Sequence, residues 1–114
     1  MTDFQKDMEI LINNDVLVGK RNKIRFVFRH EDRIDKDIDE LLLSTRSYNC
    51  LRRAGITCIK ELGDRWDKLS RIKTGGHKTI KEIKNAYMSY YYDNLDKKEK
   101  EQFWLDTIEA TLNI

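Results

Sequence analysis

Apolar residues recur every three or four positions in the stretch that begins at Thr79, and this spacing predicts a helix with one buried side. The positions are Ile80, Ile83, Tyr87, Tyr90 and Tyr91. Nucleic-acid bases can stack on aromatic side chains, so the tyrosines could also form a stacking platform. Because their spacing is helical, we expect them to form a core or interface stripe instead.

Three shorter helical segments are predicted before this helix. Ser44 suits the N-cap of the first segment, and Gly55 suits its end. Thr57 is expected to cap the second segment, whose apolar stripe is Ile59, Leu62 and Trp66. A further helical turn is predicted over Asp67–Ile72. Short helices in such close succession predict a dense helical domain with few loops.

The N-terminal region has two different periodicities. Residues 3–13 have a helical spacing of apolar residues at Phe4, Met8, Leu11 and Ile12. The period then changes to two, with Ile24, Phe26 and Phe28 alternating with their neighbours, which predicts a strand. Val16–Val18 precedes this strand across a turn that contains glycine, so we predict a β-hairpin.

A last helix is predicted close to the C-terminus, behind the charged run Lys97–Glu101. Its apolar side consists of Phe103, Trp104, Leu105, Ile108 and Leu112. This side could pack on the hairpin and the N-terminal helix, or it could form a homodimer contact, and the hairpin offers a second possible dimer contact. The pattern does not separate these alternatives.

The predicted fold is therefore mainly α, a compact bundle of short helices with an N-terminal β-hairpin and an extra C-terminal helix. We divide the chain into an N-terminal extension (1–38), a helical domain (39–94) and a C-terminal helix (95–114). At 114 residues, one modest core uses nearly all the apolar side chains.

Composition excludes several classes of protein. No apolar run approaches the roughly 18 residues of a membrane span, and the mixed-charge N-terminus lacks the order of a signal peptide. We expect a soluble, cytoplasmic protein without a membrane partner. The sequence has no phosphate-binding glycine loop after a strand and no nucleophile elbow, so we expect no enzyme activity and no cofactor.

The two cysteines are eight residues apart, too far for a C-x-x-C metal site. Only His30 and His77 could join them, so we expect neither a zinc site nor a disulfide. Cys58 is expected to be a buried apolar residue and Cys50 to lie near the edge of a binding face. The acidic segment from His30 to Asp39 lacks the glycine and final glutamate of a calcium loop, so it is expected to be solvated surface.

The formal net charge of +2 conceals an uneven distribution. Residues 46–84 carry a net charge of +7, whereas residues 1–45 carry −2 and residues 85–114 carry −3. A basic centre between acidic segments is the pattern expected for a local polyanion-binding surface. Charges can also cluster by chance on a small helical protein. Here the excess coincides with the Gly-Gly pair at residues 75–76.

Two groups of residues in this basic segment form a candidate nucleic-acid site. Placed about 100° apart on a helix, four side chains share roughly a quarter of its circumference: Arg46, Asn49, Cys50 and Arg53. Ser47, Leu51 and Ala54 fall on another arc, the expected core side. The second group opens the long helix and consists of Gly76, His77, Lys78 and Thr79. A helix start beside a glycine and a lysine is suited to anions.

These residues also carry a resemblance. Residues 43–51 (LSTRSYNCL), the following Ala54-Gly55-Ile56-Thr57, and Gly76–Ile80 with Glu82-Ile83-Lys84 resemble the C-terminal domain of the bacterial RNA polymerase alpha subunit. The resemblance covers about 45 residues. It implies two helix-hairpin-helix-like units that bind the DNA minor groove and contact activators. Arg46 would enter an A·T-rich groove with Asn49 beside it, and Gly76, Lys78 and Thr79 would contact the DNA backbone.

The sequence departs from the family pattern at Gly75, where an apolar residue is usual, and at His77, where a lysine is usual. The large assembly domain of an alpha subunit is absent from the sequence, so we expect a free-standing relative. An alternative function follows from these departures. The helical domain could instead dock on RNA polymerase or on a transcription factor without binding DNA.

Overall fold

The computed structural model describes residues 2–13, 24–72 and 76–113. Within these residues the protein forms α1 (Asp3–Asn13), α2 (Thr45–Arg53), α3 (Ile59–Asp64), α4 (His77–Asp93) and α5 (Lys97–Leu112). Three 3-10 helices cover Glu31–Ile34, Ile38–Leu41 and Trp66–Arg71. The mainly α class predicted from the sequence is confirmed. In this part of the protein, no helix is both long and apolar enough to cross a membrane.

The protein divides into two compact units. The terminal unit combines Met1–Arg29 with Tyr92–Ile114, and the helical unit is the continuous stretch His30–Tyr91. The division falls near the C-terminal end of α4, so one helix contributes residues to both units.

The core of the helical unit receives side chains from each of its helices. Its buried apolar residues are Ile34, Ile38, Leu41, Cys50, Leu51, Ile56, Ile59, Leu62, Leu69, Ile83, Tyr87, Met88 and Tyr91. Tyr87 and Tyr91 therefore belong to the core, as their helical spacing predicted. The acidic segment is less uniform than expected, because its two isoleucines are buried while its charged residues remain largely exposed.

Both ends of α2 follow from the local sequence. At its start, the Ser44 hydroxyl oxygen accepts a hydrogen bond from the Ser47 N–H at 3.3 Å, which confirms the predicted N-cap. At its end, Gly55 has a φ of 80°, a left-handed conformation that glycine adopts without steric cost. The Gly55 N–H donates to Arg52 and the Ile56 N–H donates to Leu51, at 3.0 and 2.9 Å. This pair of bonds is a Schellman C-cap.

The prediction that Thr57 caps α3 is wrong. Cys58 occupies the N-cap position, and no capping side chain accepts a hydrogen bond from the N–H groups of the helix start. The Thr57 carbonyl instead accepts a hydrogen bond from the Ile38 N–H at 3.2 Å, and the Ile59 N–H donates to Lys36 at 2.7 Å. These bonds form one antiparallel bridge, which holds the segment before α3 in place by backbone pairing.

An aromatic cluster forms the core of the terminal unit. Phe4 of α1 stacks on Trp104 of α5 with ring centroids 5.7 Å apart, and Phe26 stacks on Phe103 at 6.1 Å. The Trp104 indole N–H donates to the Tyr92 hydroxyl at 2.8 Å. α5 therefore packs on the N-terminal helix and on the segment around Phe26, one of the two arrangements that its apolar side allowed.

The segment that contains Phe26 binds α5 through its backbone. The Arg25 N–H donates to the Thr111 hydroxyl at 2.9 Å and the Val27 N–H to the Thr107 hydroxyl at 3.4 Å. Arg25 and Val27 are two residues apart, which is about 6.7 Å in extended backbone. Thr107 and Thr111 are four residues apart, which is about 6 Å along a helix. The similar spacings allow both hydrogen bonds to form. Residues 24–28 form no ladder with other described residues. Val16–Val18 and the turn of the predicted hairpin lie outside the described residues.

Gly63 of α3 provides a test of packing in the helical unit. A Cβ atom at this position would overlap the hydroxyl oxygen of the buried Tyr87 and lie 3.1 Å from a Glu31 carboxylate oxygen. The Tyr87 ring is itself held against Trp66 and Tyr91 at centroid distances of 5.5 and 6.3 Å. We expect Gly63→Ala to lower the free energy of unfolding by about 1–3 kcal/mol, the usual cost of overpacking.

The same substitution in a Tyr87→Phe background is the control, measured like the first by urea unfolding. Removing the hydroxyl relieves the overlap, and alanine has the better helix propensity. Gly63→Ala should then cost less than half as much. An equal cost in both backgrounds would show that the overlap is not the cause.

Candidate nucleic-acid interface

α2 presents one polar arc to solvent. Arg46, Asn49 and Arg53 are exposed, as the helical positions predicted, while Ser47 and Leu51 on the other arc are buried. The three exposed side chains form a surface with two guanidinium groups and one amide.

The two cysteines differ in burial, and the prediction that Cys58 is a buried residue is wrong. Cys50 is only 2% exposed, because its position on the helix borders the buried arc of Ser47. Cys58 is half-buried, and its thiol donates to a Glu61 carboxylate oxygen at 3.3 Å. Burial raises the pKa of the Cys58 thiol. Neither cysteine is in a disulfide, and no group of three or more potential metal ligands occurs in the described residues.

The start of α4 is the second part of the site. Gly76 has a φ of 132°, which side chains rarely tolerate. His77 and Lys78 are exposed, and their side chains make no hydrogen bond, ion pair or ring contact within the described part of the protein. Thr79 is 6% exposed, so its backbone is a better contact than its side chain. The first N–H groups of a helix have no partner within that helix.

Glu82 joins the two parts. One of its carboxylate oxygens accepts hydrogen bonds from the Ser44 hydroxyl at 2.8 Å and from the Ser44 N–H at 3.2 Å. Ser44 is the N-cap of α2, and Glu82 lies one turn after Lys78 on α4. The start of α2 therefore lies against the second turn of α4, one turn after Lys78.

The carboxylate of Glu82 also has an electrostatic effect on α2. Hydrogen bonds from the Ser47 and Ser44 hydroxyls lower its pKa below the ordinary value of 4.5. An anion at the N-terminus of a helix is stabilised by the helix dipole. The negative charge of Glu82 therefore stabilises the start of α2, through these hydrogen bonds and through the helix dipole. The sequence analysis did not assign this role to Glu82, because the residue contacting it is 38 positions away.

Comparison with known proteins identifies the family of this protein. The family model that describes the C-terminal domain of the alpha chain of bacterial RNA polymerase matches residues 28–87, close to the bounds of the helical unit. The protein therefore belongs to this family. The matched region contains every residue of the candidate site. No solved structure gives a significant match.

Curated relatives are alpha subunits of DNA-directed RNA polymerase. The subunit of Clostridium botulinum strain Hall is 36% identical over 84 residues, which cover 73% of this chain and 23% of the relative. The subunit of Limosilactobacillus reuteri is 47% identical over 55 residues, which cover 47% of this chain and 18% of the relative. The matched part thus spans about a quarter or less of the length of these relatives.

Glu82→Gln should weaken the junction and change how stability depends on pH. At pH 7 we expect a loss of about 1 kcal/mol in the free energy of unfolding, the difference between hydrogen bonds to a charged and to a neutral acceptor. Because the folded pKa is lowered from 4.5, the stabilisation is complete above that pH and is lost as pH falls through the folded pKa. The wild type should therefore lose more stability than Glu82→Gln between about pH 5 and about pH 3.

Chemical unfolding at several pH values measures this difference. Glu101→Gln is the matched control, since Glu101 is exposed on α5 and should leave the pH profile unchanged. If the Glu82→Gln and wild-type profiles run parallel through the acid range, the carboxylate does not stabilise the junction.

Proposed function

We propose that the protein is a DNA-binding module that acts in transcription and contacts the minor groove of A·T-rich duplex DNA. Arg46 enters the groove with Asn49 beside it, while Gly76, Lys78 and Thr79 contact the phosphate backbone. Membership of the alpha C-terminal domain family supports a role in transcription. We assign no catalytic role to the protein.

The observation that carries the proposal is the hydrogen bonding of Ser44 to Glu82. Without it, the guanidinium arc of α2 and the start of α4 would be two separate basic features. With it, one surface offers a cation for the groove and, beside it, a lysine and helix N–H groups for phosphates. A narrow A·T-rich minor groove has an enhanced negative potential, which attracts an inserted arginine.

The remaining residues of the predicted site take different parts in this proposal. Thr79 contributes its backbone N–H at the start of α4, since its side chain is buried. His77 is exposed next to Lys78, and its imidazole can donate a hydrogen bond to a phosphate. Arg53 extends the basic arc by two turns of α2 beyond Arg46.

One exposed side chain favours a second candidate function, docking on RNA polymerase or a transcription factor without DNA binding. Leu42 is 89% exposed and has a φ of 52°, a costly conformation for a residue with a branched side chain. It lies two residues before the N-cap of α2. An apolar side chain held in this way is suited to an apolar pocket on a partner protein, and such binding would survive Arg46→Ala.

Arg46→Ala tests the groove contact. We expect it to weaken binding to an A-tract duplex by about 1–3 kcal/mol and to reduce the preference over a G·C-rich duplex. Fluorescence anisotropy with the two labelled duplexes measures both. Arg52→Ala is the matched control on the same helix, because the Arg52 guanidinium lies over the Tyr48 ring at 5.7 Å instead of in the arc. Equal effects of the two substitutions would contradict the assignment of Arg46.

Lys78→Ala tests the phosphate contact. It should weaken binding to both duplexes alike and reduce the slope of log K against log salt concentration by about one. Lys60→Ala removes the same charge from α3, where Lys60 pairs with Asp32 at 3.0 Å, and should leave the slope unchanged. If wild-type protein binds neither duplex at low salt, the docking function replaces the proposal.

A further inference from the structure

Two interactions on α2 hold the guanidinium of Arg53. Its Nε–H donates to the backbone carbonyl oxygen of Asn49 at 3.4 Å, and its Nη2 donates to the sulfur of Cys50 at 3.6 Å. Cys50 is 2% exposed, so the sulfur is a fixed point in the packed interior. The arginine itself is exposed. The guanidinium of the long, flexible Arg53 side chain is thus in contact with the buried sulfur of Cys50.

We propose that Cys50 is a positioning residue and that it holds Arg53 as an additional phosphate-binding residue of the interface. This inference rests on the proposed DNA-binding function and deepens it. A guanidinium has five N–H donors, and the two interactions use the edge formed by Nε and Nη2. Three donors remain for a phosphate, including both on Nη1.

The thiol of Cys50 is poorly placed to contact DNA itself. Its neighbours Ser47 and Leu51 are also buried, and a direct contact would require α2 to leave its packing. Sulfur is a weak hydrogen-bond acceptor, so its contribution is mainly to restrict the arginine. A side chain that is already ordered loses less conformational entropy when it binds a phosphate.

Arg52 shows that this arrangement is specific to one of two consecutive arginines. Arg52 turns to Tyr48, with a 3.4 Å hydrogen bond to the tyrosine hydroxyl and its guanidinium over the ring. A step of about 100° around the helix separates the two arginines. Of these two arginines, only Arg53 shares the arc of Arg46 and Asn49. Only Arg53 is therefore on the side of α2 that faces DNA in the proposed complex.

A double-mutant cycle in the DNA-binding assay tests the inference. Arg53→Ala should weaken A-tract and G·C-rich duplexes alike and lower the salt slope by about 0.9. Between 50 and 200 mM salt, the wild type should then lose about 3.5-fold more affinity than the variant. Cys50→Ala should weaken binding in the presence of Arg53 and have no effect in the Arg53→Ala background.

Two conservative variants separate positioning from a purely structural role. Cys50→Ser keeps an acceptor near the guanidinium and should restore most of the binding lost in Cys50→Ala. Arg53→Lys keeps the charge, and therefore the salt slope, but should make binding insensitive to Cys50→Ala, since an ammonium lacks the two-donor edge. If Cys50→Ala does not fold, Cys50→Val replaces it, since valine fills a similar volume but has no acceptor. Cys50→Val should weaken binding in the wild-type background and have no effect in the Arg53→Ala background.

Several outcomes would overturn the inference. An unchanged salt slope in Arg53→Ala would show that Arg53 binds no phosphate. An equal loss on changing Cys50 in both backgrounds would show that the cysteine acts through packing. Either result leaves DNA binding by Arg46 intact, whereas absence of wild-type binding to both duplexes would instead reject the proposed function.

Discussion

One carboxylate joins the two helices that carry the candidate site. Glu82 accepts hydrogen bonds from the backbone and the hydroxyl of Ser44, which is also the residue that caps α2. Glu82 of the long helix α4 therefore contacts the capping residue of the short helix α2, in addition to the packing of the buried core. A nine-residue helix is marginal in isolation, so α2 needs such a tertiary contact, and the exposed arc inherits its orientation from it.

In the terminal unit, side chains of a helix provide hydrogen-bond acceptors for the backbone of an extended segment. An edge of extended backbone normally pairs with a second strand. Here the Arg25 and Val27 N–H groups donate to two threonines one turn apart on α5, and Arg29 forms an ion pair with Asp106 on the same helix. This ion pair lowers the pKa of the Asp106 carboxyl. Two threonines within a helix thereby become buried acceptors for a neighbouring backbone.

Local signals in the sequence predicted the local structure well, and non-local contacts account for the rest. Ser44 and Gly55 mark the two ends of α2 because capping chemistry depends on neighbouring residues, and the exposed arc follows from the helical repeat alone. The burial of Cys50 follows from its position at the border of the core arc of α2, whereas the partial exposure of Cys58 depends on which elements cover the start of α3 and could not be predicted. Thr57 does not cap α3, because it pairs with another segment through its backbone. Its carbonyl oxygen accepts a hydrogen bond from the Ile38 N–H. The role of Glu82 was missed for the same reason, as its partner is far away in sequence.

Burial divides the candidate site into residues that can touch a ligand and residues that shape the surface. Arg46 and Lys78 are exposed and belong to the first class, whereas Cys50 and Thr79 are buried and belong to the second. A motif on a helix includes both kinds, because its residues successively face solvent and core. An exposed residue within hydrogen-bond reach of the buried Cys50 sulfur is Arg53. The chemistry of the surface is set in part by atoms that the ligand does not reach.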